Sequence, residues 1–389
     1  MNHQSQKILL SLIKERVCGG DDCLDIGKEQ LSQMGSALYR DAKRHDMAHI
    51  VADVLEKKHA LFSEEECYAK FRKQKMLAVF RYEKICHEYQ QICDVFDREH
   101  IPYLPLKGAV IRQYYPEPWM RTSCDIDILV HQGDLDRACR VLVSDLAYRK
   151  GEQGTHDISL YSPGEVHLEL HYALVAEHNA SDHAAILKRV WDSTALSSGD
   201  GSRFEMSDEM FFFYHVAHMA NHIEIGGCGI RPFLDLWILE HRVEHDDGKR
   251  NILLEQGRLL KFADVARRLA EVWFGELAHC DVTRQLEQYV LHGGVYGTLG
   301  NRIAIQQKKR GGKKGYMLSR VFISYELLQY YYPVLRKHKW LFPFMQIRRW
   351  GRILFGGGVK RSARELAINQ RVTKEEAERT AAFLADIGL

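Results

Sequence analysis

Two acids one residue apart carry the first chemical signal in this 389-residue chain. They lie in Cys124-Asp125-Ile126-Asp127-Ile128-Leu129-Val130. The β-branched and aliphatic residues around them predict a strand. Side chains alternate along a strand, so Asp125 and Asp127 share one face while Ile126 and Ile128 turn to a core. Two carboxylates held so close repel each other unless a positive charge lies between them. A hard divalent cation, Mg²⁺ or Mn²⁺, fits that need, because such ions take oxygen ligands from one or two carboxylates plus substrate phosphates.

A second signal lies upstream. The apolar run from Ile101 ends in Lys107-Gly108-Ala109. A glycine between a strand and a helix lets the backbone approach a phosphate, and free N–H groups at the helix start favour an anion. Lys107 adds a positive charge there. A third signal is the run Val166-His167-Leu168-Glu169-Leu170-His171-Tyr172, which alternates cleanly. His167, Glu169 and His171 fall on one face, and Val166, Leu168 and Leu170 on the other. The stretch Phe211 to His222 adds His215, His218 and His222 on one helix face. His215 and His222 stand about 10 Å apart along such a helix, too far for one ion to take both. A histidine-dependent metallohydrolase is therefore disfavoured.

These motifs resemble the nucleotidyltransferase superfamily, in which an apolar-glycine turn precedes an acid-apolar-acid strand and a third acid sits on a neighbouring strand. The chain is more closely similar to the uncharacterised nucleotidyltransferase family. There the turn reads LKG, here Leu106-Lys107-Gly108, and an arginine, here Arg121, precedes the strand Asp125–Val130. That family also carries histidines on a later helix, followed by glycines, an arginine and an aspartate. Gly226, Gly227, Gly229, Arg231 and Asp235 stand in those places. The resemblance places Glu169 as the third carboxylate. It implies catalytic and metal-holding roles for Asp125, Asp127 and Glu169. It implies nucleotide contacts for Lys107, Gly108, Arg121 and Arg231. His167, His171, His215, His218, His222 and Asp235 would line the cleft, with Arg231 and Asp235, one turn apart, able to pair with each other. Ala109 stands where relatives often have a second glycine or a serine, so a serine hydroxyl on the phosphate is missing.

The implied reaction moves a nucleoside monophosphate group from an NTP, most simply ATP, to a hydroxyl, with Mg²⁺ or Mn²⁺ as cofactor. The acceptor and the oligomeric state stay open. The rival reading is a catalytically inactive nucleotide- or RNA-binding protein on the same fold. The presence of all three carboxylates argues against it.

Around these motifs the sequence predicts an α+β protein: a small mixed-sheet nucleotidyltransferase core flanked by N- and C-terminal helical regions. The boundaries read as a helical region 1–100, the core 101–203, a helical substrate-side domain 204–280 and a basic helical region 281–389. Ser197–Ser202 is the best linker signal. Apolar spacing predicts helices over 37–57 and 64–99, with His45 and His49 on the first. Further helices are predicted at 109–115, 133–146, 233–245 and 251–277. Ser207 is the expected N-cap of the Phe211 helix. Thr373 to Glu376 reads as a capping box.

Hydrophobic residues make up 46% of the chain, enough for a sizeable core. Nine cysteines lack C-x-x-C spacing, Cys18 and Cys23 being the closest pair, and no leading apolar run is long enough for a secretory signal. Both point to reduced thiols in the cytoplasm. The net charge is only +2, yet residues 302–361 hold 15 Lys or Arg against the single acid Glu326. That block fits RNA or an anionic membrane surface. RNA or another polyanion is favoured, because apolar residues there alternate with charge instead of forming one clean face.

Overall fold

The computed structural model describes residues 3–19, 28–57, 65–197, 201–355 and 359–389. Glu64, Cys23 and the Ser198–Asp200 part of the predicted linker lie outside the described residues. The chain is α+β, as predicted. It divides into two compact units, one of residues 1–219 with 229–287, the other of 220–228 with 288–389.

The first unit is built on a five-stranded mixed sheet of order β1-β2-β5-β4-β3. The strands are β1 (Tyr103–Pro105), β2 (Asp125–Val130), β3 (Arg149–Gln153), β4 (Asp157–Tyr161) and β5 (His167–His171). Strands β2 and β5 are parallel, and the other neighbours are antiparallel. The predicted hairpin is β4–β5, turned by Ser162 to Glu165. Glu165 takes the positive φ of 60° in that turn.

One face of this sheet is apolar. Ile126, Ile128, Val130, Ile158, Leu160, Leu168 and Leu170 pack with Ile92 and Phe96 of the Glu65–Arg98 helix and with Ala138, Cys139 and Leu142 of the Leu135–Asp145 helix. Burying that face fixes the register, since a one-residue slip would expose every core side chain. The acids are thereby committed to the opposite face.

Several helix boundaries differ from the prediction, each for a local reason. The span 37–57 is two helices, Lys28–Arg44 and Ala48–Lys57, separated where Asp46 adopts φ 57°. The Asp46 carboxylate accepts the Thr122 hydroxyl at 2.8 Å, a tertiary bond that outweighs helical continuity. His45 and His49 are both buried, and His49 Nε2 meets the Met120 carbonyl at 2.8 Å. The span 251–277 is likewise two helices, Asp247–Gln256 and Leu260–Phe274, divided at Arg258 with φ 56°. Ser207 caps the Asp208–Ile225 helix by accepting from the Met210 N–H at 3.2 Å.

The second unit is helical. Ile303, Ala304, Tyr316, Val372 and Ala377 form one small core. Ile323, Leu328 and Leu335, with Phe342 and Met345 against them, form another. The Thr373–Glu376 capping box is present and opens the Lys374–Asp386 helix. Among the described residues no helix is long and apolar enough to cross a membrane.

Candidate functional site

Parallel pairing of β2 with β5 sets Asp125 beside His167 and Asp127 beside Glu169. On the far side of β5, antiparallel β4 sets Tyr161 beside His167 and Ser159 beside Glu169. Alternation then brings Asp125, Asp127, His167, Glu169 and His171 to one face, as the sequence predicts. Ligand atoms of Asp125, His167 and Glu169 all lie within 4.8 Å of one another, and so do those of Asp127, Glu169 and His171. Glu169 belongs to both groups, so the two share a carboxylate.

The charges in this cluster are strongly coupled. Asp127 Oδ1 accepts from Lys107 Nζ at 2.7 Å and lies 3.0 Å from His171 Nε2. Burial opposes ionisation of Asp127, but these two cations outweigh it and hold the carboxyl far below its ordinary value. Burial likewise opposes the charge on His171. Its bonds to Asp127 and Glu169 outweigh that and raise it to about 9. Asp125 goes the other way. Burial, with Asp127 and Glu169 close by, raises its pKa. Three carboxylates therefore face two cations, and the shortfall falls on Asp125.

The Gly108 turn differs from its expected form. The helix after it is a single turn, Gly108–Ile111, followed by a 3₁₀ turn over Arg112–Tyr114. The positive φ, 43°, falls on Lys107 and not on the glycine. That strained backbone aims the lysine across at Asp127. A Cβ on Gly108 would sit 3.4 Å from Arg112 Nη2 and 3.6 Å from Arg121 Nη1. The turn is therefore lined by two guanidinium groups.

Arg121 and Arg231, expected on the nucleotide, are engaged within the protein. Arg121 Nε donates to both Asp235 oxygens, at 2.8 and 2.9 Å, and Nη1 donates to the Thr122 carbonyl. The Tyr115 hydroxyl donates to Asp235 Oδ1 at 2.6 Å. The predicted Arg231–Asp235 pair is thus replaced. Asp235 is buried at the end of the Arg121 side chain, while Arg231 donates to the Thr122 carbonyl at 2.8 Å and reaches Asp46 at 3.4 Å. Together these bonds tie the segment before β2 to the Arg231–Arg242 helix and to the Asp46 turn. Of the helix histidines, His215 donates Nε2 to the Pro232 carbonyl at 2.9 Å, and His218 lies against the Tyr214 ring. His222 continues the same helix one turn later.

Four residues at the site carried no flag in the sequence. Tyr214 is buried among Lys107, Asp127, Glu169 and Asp125, which act on it electrostatically, and burial raises its hydroxyl above the usual range. Its Phe-Phe-Phe-Tyr context reads only as core. Arg112 donates to the Gly108 carbonyl at 2.6 Å and to Ser123 Oγ at 3.0 Å. Ser159 lies 3.0 Å from His167 Nε2, and Tyr161 stacks on the His167 ring. Both could have been found by carrying the hairpin register one strand outward.

A further group, Glu240, His245 and Asp247, also has ligand-like spacing. It is already neutralised: Arg267 Nε lies 2.7 Å and Arg250 Nη1 3.6 Å from the Glu240 carboxylate.

A mixed sheet with an acid-apolar-acid strand beside a third acidic strand is the arrangement the sequence resemblance to nucleotidyltransferases implies. The chain belongs to the uncharacterised nucleotidyltransferase family, whose model matches residues 34–275. No curated protein and no solved structure matches it.

Proposed function

We propose that the protein transfers the nucleoside monophosphate group of an NTP, most simply ATP, to a hydroxyl acceptor, with Asp125, Asp127 and Glu169 holding Mg²⁺ or Mn²⁺. The observation that carries this reading is the juxtaposition of the three carboxylates on β2 and β5 within ligand spacing. The donor set suits a hard cation, being rich in oxygen and short of positive charge. His171 adds to the fit, since its buried Nδ1 has no hydrogen-bond partner while its Nε2 is drawn to two carboxylates. Bound metal would offset the triphosphate charge, make the acceptor hydroxyl acidic and steady the departing oxygen.

The chain's own residues do the rest. Lys107 and Arg112, on either side of Gly108, supply positive charge for the triphosphate. Asp125, whose acidic neighbours Asp127 and Glu169 are the ones engaged by Lys107 and His171, takes the acceptor's proton. The acceptor oxygen bonds to the α-phosphorus, the bond from the α-phosphorus to the bridging oxygen breaks, and pyrophosphate leaves. Tyr214 covers the cluster and limits water. Arg121, Asp235 and Arg231 hold the segment before β2 so that both aspartates stay in register with Glu169.

ATP labelled at the α- or the γ-phosphate, incubated with the protein, Mg²⁺ and lysate fractions, tests the reaction. The α label should become attached to an acceptor and the γ label should appear in pyrophosphate. Attachment of the γ label alone would make the protein a kinase and end this reading.

A further inference from the structure

Exposed apolar side chains are concentrated in the second unit. Of the 22 large hydrophobic side chains exposed among the described residues, 14 fall between Met317 and Leu366. The same stretch is where basic residues crowd and Glu326 and Glu365 are the only acids. Monomeric proteins seldom leave such patches uncovered without a partner.

The Phe342–Phe355 helix shows how the patch is organised. Phe342 and Met345 turn inward against Ile323, Leu328 and Leu335, and Gln346 is buried. The opposite side carries Phe344 at 58%, Ile347 at 60% and Phe355 at 92% exposure, with Trp340 just before the helix at 69%. Positions 344, 347, 351 and 355 follow one another at helical spacing, so they form a single stripe. Trp340 and Phe344 touch edge to face, with ring centroids 6.3 Å apart. Arg348 and Arg352, both exposed, run along the flank of the stripe, over the rings of Tyr332 and Tyr331. The expected alternation of charge with apolar residues is therefore resolved in space. The apolar groups form one outward line, and the arginines border it.

We infer that this stripe is a docking surface for an anionic lipid membrane, lying in the headgroup region with Trp340, Phe344, Ile347 and Phe355 inserted and the flanking basic residues on lipid phosphates. An amphipathic helix with aromatic and aliphatic residues on one side and only positive charge beside them has the chemistry of an interfacial helix. Charge complementarity selects an anionic surface and disfavours a second copy of this chain, whose equally basic face would repel it. A nucleic acid would satisfy the arginines but not the aliphatic members of the stripe. Bases stack on aromatic faces, and Ile347, like the exposed Leu354 beside the stripe, offers none.

Sedimentation of the full chain with phosphatidylcholine vesicles, with or without phosphatidylserine, tests this. Binding should appear only with phosphatidylserine, weaken with salt, and shift the tryptophan emission to the blue. That shift should vanish in W340F. The F344S/I347S pair removes apolar groups that are more than half exposed, so its circular dichroism should match the parent. Its partitioning should fall at least about tenfold. R348E/R352E should also lose binding. Equal binding to both vesicles, no binding to either, or partitioning unchanged in F344S/I347S would overturn the inference. So would retention of single-stranded RNA by a chain that leaves vesicles alone.

Discussion

Asp127→Asn should leave the protein folded and lower the rate of nucleotidyl transfer roughly a thousandfold. The amide keeps the shape of the carboxylate and can still meet Lys107 and His171 through its oxygen. It removes the charge on which a divalent cation depends. If that cation contributes about 4 kcal/mol to the transition state, its loss corresponds to about three orders of magnitude in rate. The change should appear in kcat more than in KM, because the charge being stabilised grows during the reaction. A D127N protein that transfers α-labelled nucleotide at near-normal rate would remove the acid cluster from the chemistry.

Asp235→Ala should instead cost stability. The residue is 1% exposed and carries two partners, Arg121 and the Tyr115 hydroxyl. Truncating it strands a buried guanidinium, and breaking a buried pair from one side typically costs about 3–5 kcal/mol. Denaturant unfolding of parent and variant measures the difference, and a loss under about 1 kcal/mol would show that the pair does not brace the site. The pH dependence has a fixed sign. Burial opposes ionisation of Asp235, but Arg121 and His215 outweigh it and depress its pKa from the ordinary 3.8. A depressed acid contributes stability that is complete above its unfolded pKa and is lost as pH falls through the folded value. The gap between parent and variant should therefore be level above about pH 5 and narrow below pH 4. A double variant, R121L/D235L, should recover part of the loss, since apolar groups replace both partners.

The strands and their faces were legible because period-two alternation leaves few alternatives once one face is apolar. Alternation puts Asp125 and Asp127 on one face of β2 and His167, Glu169 and His171 on one face of β5, and the parallel β2–β5 register, which the sequence did not show, brings the two sets together. Pairings between distant segments were not legible. Arg231 and Asp235 are helical neighbours, yet Asp235 is taken by Arg121, 114 residues away, because burial rewards a tertiary partner over an exposed turn-to-turn pair. The positive φ at Lys107 was not legible, since nothing local requires a lysine to bear it. Breaks at Asp46 and Arg258 were missed for the same reason, both being non-glycine residues in the left-handed region. In the basic region the apolar and charged residues looked interleaved. A 3₁₀ turn at Lys339–Leu341 precedes the Phe342–Phe355 helix, and a single period cannot be read across both.

The site itself can be tested most directly with manganese. Crystals grown with Mn²⁺ and a non-hydrolysable ATP analogue should show anomalous density between the Asp125, Asp127 and Glu169 carboxylates, with Lys107 Nζ moved off Asp127. Density at Glu240, His245 and Asp247 instead, or an acid cluster that keeps its Lys107–Asp127 pair and no manganese, would contradict the assignment of these three carboxylates as the metal site.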